Sequence, residues 1–89
     1  MLRYWFEFDL NFADVARIPA GTLIGCGVSA YNYEDAVGIL KEKVFKSNDL
    51  PAIKRMVENV DIRTLDQGHV IPNMSSPVAR GVWFPMGYM

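Results

Sequence analysis

The stretch Thr22-Leu23-Ile24-Gly25-Cys26-Gly27-Val28-Ser29-Ala30-Tyr31, running straight into Asn32-Tyr33-Glu34-Asp35-Ala36-Val37-Gly38-Ile39-Leu40-Lys41-Glu42-Lys43-Val44-Phe45, decides the fold. In its first half the residues alternate: Ile24, Cys26, Val28 and Ala30 share one face of a strand over residues 22–31, and Gly25, Gly27 and Ser29 occupy the other. That second face is nearly bare, open to something bulky lying against it. Asn32, three residues before Asp35, has the chemistry of a helix N-cap, a side-chain oxygen able to satisfy a free backbone N–H, with Glu34 and Asp35 complementing the helix dipole. Tyr33, Ala36, Val37, Leu40 and Val44 then form a stripe at helical spacing across Tyr33 to Phe45, while Glu34, Lys41 and Glu42 point elsewhere. Ser47-Asn48-Asp49-Leu50-Pro51 ends the helix, because proline lacks an N–H and disfavours helical geometry in the residue before it.

Upstream, Leu2 to Leu10 alternates strictly, with Leu2, Tyr4, Phe6, Phe8 and Leu10 on one side and Arg3, Trp5, Glu7 and Asp9 on the other, a half-buried strand. Asn11 to Gly21, with Pro19, reads as a connection too long for a hairpin turn. Downstream, Ile53 to Leu65 fits a helix through Ile53, Met56, Val57 and Val60, and a strand face through Met56, Val60 and Ile62. The β-branched density of Val57, Val60 and Ile62, and the βαβ unit that a strand here would complete, favour a strand over residues 53–62. Beyond Asp66 the glycines, prolines and serines describe irregular chain, and Gly81-Val82-Trp83-Phe84 reads as a short edge strand. The order predicts an α+β two-layer sandwich: one helix on a small mixed sheet, β-β-α-β with a short C-terminal strand, half-ferredoxin-like, as a single domain over residues 1–89.

At 89 residues the margin of stability is thin, which makes a second copy of the chain a natural partner, sheet edge meeting sheet edge. A formal net charge of −1 supplies no field to draw nucleic acid or an anionic membrane. The acids Glu7 and Asp9 interrupt the apolar N-terminal stretch that an export signal needs, and the lone Cys26 suits a reducing compartment, so a cytoplasmic location is expected.

Several groupings invite a functional reading. Gly25-Cys26-Gly27-Val28-Ser29-Ala30 has the G-x-G-x-x-A spacing of a dinucleotide loop, yet the helix signal begins only at Asn32, too late for its N–H groups to meet a pyrophosphate. Cys26 and His69 make a thiol and an imidazole available, but small apolar neighbours put the cysteine on a buried face as a compact hydrophobe. Tyr4, Phe6 and Phe8 resemble a base-stacking strand, except that Glu7 and Asp9 stand where a basic surround is needed. In Leu65-Asp66-Gln67-Gly68-His69-Val70-Ile71-Pro72-Asn73-Met74, the residues Asp66, His69 and Asn73 are candidate ligand-binding residues, against the alternative that the two Asx side chains serve turns. One histidine with scattered carboxylates is a poor metal set, and no metal or cofactor is expected. The uncharged end Val82-Trp83-Phe84-Pro85-Met86-Gly87-Tyr88-Met89 must be covered, either by the chain's own sheet or by a partner, which makes Trp83, Phe84, Met86 and Tyr88 candidate interface residues.

Arg3-Tyr4-Trp5-Phe6-Glu7-Phe8, Gly25-Cys26-Gly27-Val28-Ser29-Ala30-Tyr31 with the helix after it, and Leu65 to Met74 resemble segments of small bacterial proteins without an assigned activity. The resemblance implies a stand-alone bacterial cytoplasmic protein and carries no functional residue with it. The expectation is a non-enzymatic accessory or protein-interaction domain that self-associates as a homodimer or binds another protein. The alternative is a small-ligand-binding or catalytic domain with a pocket between the Gly25/Gly27 face and the Asp66 to Asn73 loop.

Overall fold

The computed structural model describes residues 1–9, 24–46 and 49–85. The readings made for Leu10, for the connection after it, for Thr22 and Leu23, and for Met86 and Tyr88 lie outside the described residues.

Strand β1 (Leu2–Asp9) lies inside the sheet, with β2 (Cys26–Ala30) on one side and β3 (Ala52–Val57) on the other; β4 (Gly81–Phe84) adds to β2, giving the order β3-β1-β2-β4. Every pairing is antiparallel: Leu2 opposite Ala30 through Phe6 opposite Cys26, Trp5 opposite Val57 through Asp9 opposite Ala52, and Gly27 opposite Phe84 through Ser29 opposite Gly81. The α+β class is as expected, but the sheet is antiparallel throughout rather than mixed. The reason is topological. The strands β2 and β3 both run against β1 and hence parallel to each other, yet β1 separates them, so the helical crossover joins strands that share no ladder.

The third strand also ends early, at Val57 instead of residue 62. Asn59 adopts a left-handed φ of 55°, and the chain turns so that the Val60 N–H reaches the Arg3 carbonyl at 2.8 Å. Asp61 then caps a 3-10 turn over Ile62–Thr64 by accepting from the Arg63 N–H. The β-branched Val60 and Ile62 that favoured a strand instead pack into a second core.

The first core lies between the sheet and the helix. Tyr4, Phe6 and Phe8 alternate onto this face with Cys26, Val28, Ala30 and Val82, and meet Ala36, Ile39, Leu40 and Val44. Fully burying one such large side chain contributes about 1.5–3 kcal/mol, so this layer supplies much of the drive to fold. The helix begins where the cap chemistry places it, the Asn32 side chain accepting from the Asp35 N–H at 2.8 Å. Helix α1 (Tyr33–Ile39) passes directly into a π-helical stretch, Leu40–Phe45, closed by a bond from the Lys46 N–H to the carbonyl of Lys41, five residues back. Of the predicted stripe, Ala36, Leu40 and Val44 are buried, whereas Tyr33 lies half outside and Ile39 takes a core place.

The second core covers the opposite face, where Trp5, Trp83 and Phe84 gather with Val60 and Val70. The bare glycine face is the reason they fit. A Cβ on Gly27 would stand 2.4 Å from the Trp83 ring, and one on Gly25 would stand 2.5 Å from Trp5. The register between β2 and β4 slips between Gly27 and Val28, which makes Trp83 an extra residue opposite the ladder. Trp83 and Phe84 therefore both reach the Trp5 side, with ring centroids 6.0 and 5.7 Å from Trp5, while Val82 points to the helix.

Candidate functional site

The loop residues singled out from the sequence do meet, though mainly to build the loop itself. Asp66 Oδ1 accepts from the N–H groups of Gly68 at 2.8 Å and His69 at 3.0 Å, its Oδ2 lies 3.1 Å from His69 Nδ1, and the Asn73 side-chain amide donates to the His69 carbonyl at 2.8 Å. The Gly68 N–H, then the His69 ring and N–H, hold the Asp66 carboxyl below its ordinary range. Buried Val70 anchors this loop in the second core. No thiol is at hand: Cys26 is in the helix-side core, where burial pushes it up to about 12 and keeps it protonated at neutral pH.

A cleft of about 400 Å³ opens beside this loop, over Trp5 and between Glu7, Arg55, Asp61 and Asp66. Glu7 Oε2 accepts from the Trp5 indole N–H at 2.9 Å and from Arg55 Nη1 at 2.8 Å. The indole hydrogen bond foremost, with Arg55 assisting against partial burial, holds the Glu7 carboxyl low. Of the three expected ligand residues only Asp66 borders this cleft; His69 and Asn73 do not. Against the Gly25/Gly27 face itself lie the indole rings of Trp5 and Trp83. Trp83 and Phe84, expected at an interface, are 1% and 2% exposed and belong to the chain's own core.

The feature that sequence reasoning missed is one end of the sheet, where β1 and β4 begin and β2 ends. Met1, Tyr31 and Val78 are 57%, 69% and 79% exposed there. Leu2 opposite Ala30 is the last rung of that ladder, and Met1 and Tyr31 are the residues next beyond it. Met1 and Val78 line a hollow of about 290 Å³ together with Arg3, Ser29, Asn59 and Pro77. The Ser29 hydroxyl donates to the Pro77 carbonyl at 2.5 Å and pins that segment to β2. Behind the patch, Asp35 accepts from the Tyr31 N–H at 3.1 Å and from Arg80 through both Nε, at 2.9 Å, and Nη2. The Arg80 guanidinium also lies 5.6 Å from the centre of the Tyr31 ring, within cation–π range. The Arg80 hydrogen bonds, then the Tyr31 N–H, pull the Asp35 carboxyl down to about 2. The ring of Tyr31 is thus held outward on a firm base. No local signal marks this site, since its residues come from three distant parts of the sequence.

Among the described residues, no group of three or more His, Cys, Asp and Glu side chains could hold a metal ion, and no helix is long and apolar enough to cross a membrane. Comparison with protein-family models, curated proteins and solved structures finds no match for the chain.

Proposed function

We propose that the chain is a non-enzymatic interaction domain that associates with a second copy of itself through the Met1–Tyr31–Val78 end of the sheet. The observation that carries this reading is the clustering of exposed apolar bulk. Large hydrophobic side chains exposed singly need no explanation, but half of those exposed among the described residues, Met1, Tyr31 and Val78 against Ile24, Tyr33 and Met56, stand at this one end. Each face of the sheet carries a core of its own, which favours its ends and edges for a partner. The edge strand β3 suits that role less well: it carries Lys54 at a register slip and Arg55 beside it, a combination that discourages edge pairing. The cleft over Trp5 suits a ligand less well, because its Glu7 and Arg55 already satisfy each other.

The test is mass determination by light scattering behind a sizing column, from low to high micromolar chain. The expected result is a concentration-dependent dimer that Tyr31→Glu combined with Val78→Glu converts to a monomer of unchanged circular dichroism. A wild-type chain that stays monomeric throughout that range overturns the reading.

A further inference from the structure

Two of the large side chains exposed at this end of the sheet stand on irregular chain. Tyr31 follows the last residue of β2, and Val78 lies in the turn that precedes β4. Ordering such side chains and loops against a partner opposes association, so whatever orders them beforehand strengthens it.

Both are ordered by one ion pair. Asp35 Oδ2 accepts from the Tyr31 N–H at 3.1 Å and from Arg80 Nε at 2.9 Å, while Oδ1 accepts from Arg80 Nη2. The guanidinium held in this way lies 5.6 Å from the centre of the Tyr31 ring. The carboxylate therefore fixes the backbone of Tyr31, and the cation it holds backs the ring. Val78 is fastened from both sides. Before it, the Pro77 carbonyl accepts from the Ser29 hydroxyl of β2; after it, Arg80 is bound to Asp35 of α1, and the chain then enters β4 with Gly81 opposite Ser29. The chemistry suits arginine in particular, because a planar fork can give two hydrogen bonds to one carboxylate and still present a flat cationic face to an aromatic ring.

We propose that Arg80 is a positioning residue for self-association: held by Asp35, it sets the Tyr31 ring and the Val78 turn in their associating arrangement before the second copy arrives, and acts through them instead of touching that copy. The inference rests on the self-association reading above. It makes the affinity of the patch depend on a bond between two charged side chains that lie behind it.

The experiment measures the dimer dissociation constant by sedimentation for Arg80→Gln, Asp35→Asn, the two combined, and Arg80→Lys. Arg55→Gln is the control, since it breaks the 2.8 Å pair with Glu7 toward the other end of β1 and makes the same change of charge. Circular dichroism fixes a temperature at which every variant is folded. Arg80→Gln and Asp35→Asn are each expected to weaken the dimer by about fivefold, as for freeing one or two ordered side chains. The combined variant is no weaker than the weaker single, because either change already breaks the same bond. Arg80→Lys recovers part of the loss, and Arg55→Gln dimerises like the wild type. Single variants as tight as the wild type, while Tyr31→Glu with Val78→Glu still breaks the dimer, overturn the role of Arg80 and leave the interaction domain standing. A combined loss equal to the product of the single losses means that Arg80 meets the partner itself and also overturns the positioning. So does an Arg80→Lys chain no tighter than Arg80→Gln, or an equal loss in Arg55→Gln. A monomeric wild type overturns both readings.

Discussion

Gly27 shows how one missing side chain is used. Its Cβ position lies 2.4 Å from three-carbon bulk of the Trp83 ring, and that ring is 1% exposed and stacked near Trp5, so it has no free direction in which to move. Overfilling a packed core in this way costs about 1–3 kcal/mol, a large share of the stability of a chain this short. Gly27→Ala is therefore expected to lower the midpoint of thermal unfolding by at least about 4 °C. An unchanged midpoint would mean that the indole can slide aside. The glycines were visible in the sequence as a bare face needing a bulky cover, but not the identity of that cover, since Trp83 lies far along the chain. Asp66, His69 and Asn73 show the converse: the chemistry that made them candidates also makes local hydrogen bonds, and those are the bonds they form.

Among the elements, the helix was the most legible, because its start and its stripe are written within a few residues of each other. Its continuation as a π-helix over Leu40–Phe45 was not, since the stripe of apolar residues fits both windings closely. Within α1, Gly38 has open space around its Cβ position, with nothing within 4 Å, so here only backbone freedom is at stake. Gly38→Ala is expected to stabilise the chain by about 0.5–1 kcal/mol, read as a higher urea midpoint at unchanged slope. A lower midpoint would show that the exposed helix face needs the glycine for contact with something else. The strand β3 was legible as a strand but not in its extent, because Val60 and Ile62 serve a ladder and a core equally well and only the turn at Asn59 chose between them.

The molecule as a whole is tied by contacts that span long stretches of chain, among them Arg80 on Asp35 across 45 residues. The folded pKa of Asp35, about 2, lies below its ordinary value of 3.8, so the ionised carboxylate is the form that favours folding. Its contribution is fully present above that ordinary value and is lost as the pH falls through about 2. Asp35→Asn is expected to be less stable than the wild type at neutral pH, with the gap between their urea midpoints closing between about pH 4 and pH 2. A gap that persists unchanged at pH 2 would show that Arg80 does not depend on the charge. From local information alone the chain determined its α+β class, the two faces of β1, the cap at Asn32 and the helix after it, because periodicity and capping are relations among near neighbours. Tertiary structure alone decided the inner place of β1, the antiparallel order, the indole over Gly27, and the hollow that Met1 and Val78 share. Each of these depends on which distant strand pairs with which, and that choice is made by burying surface across the whole chain.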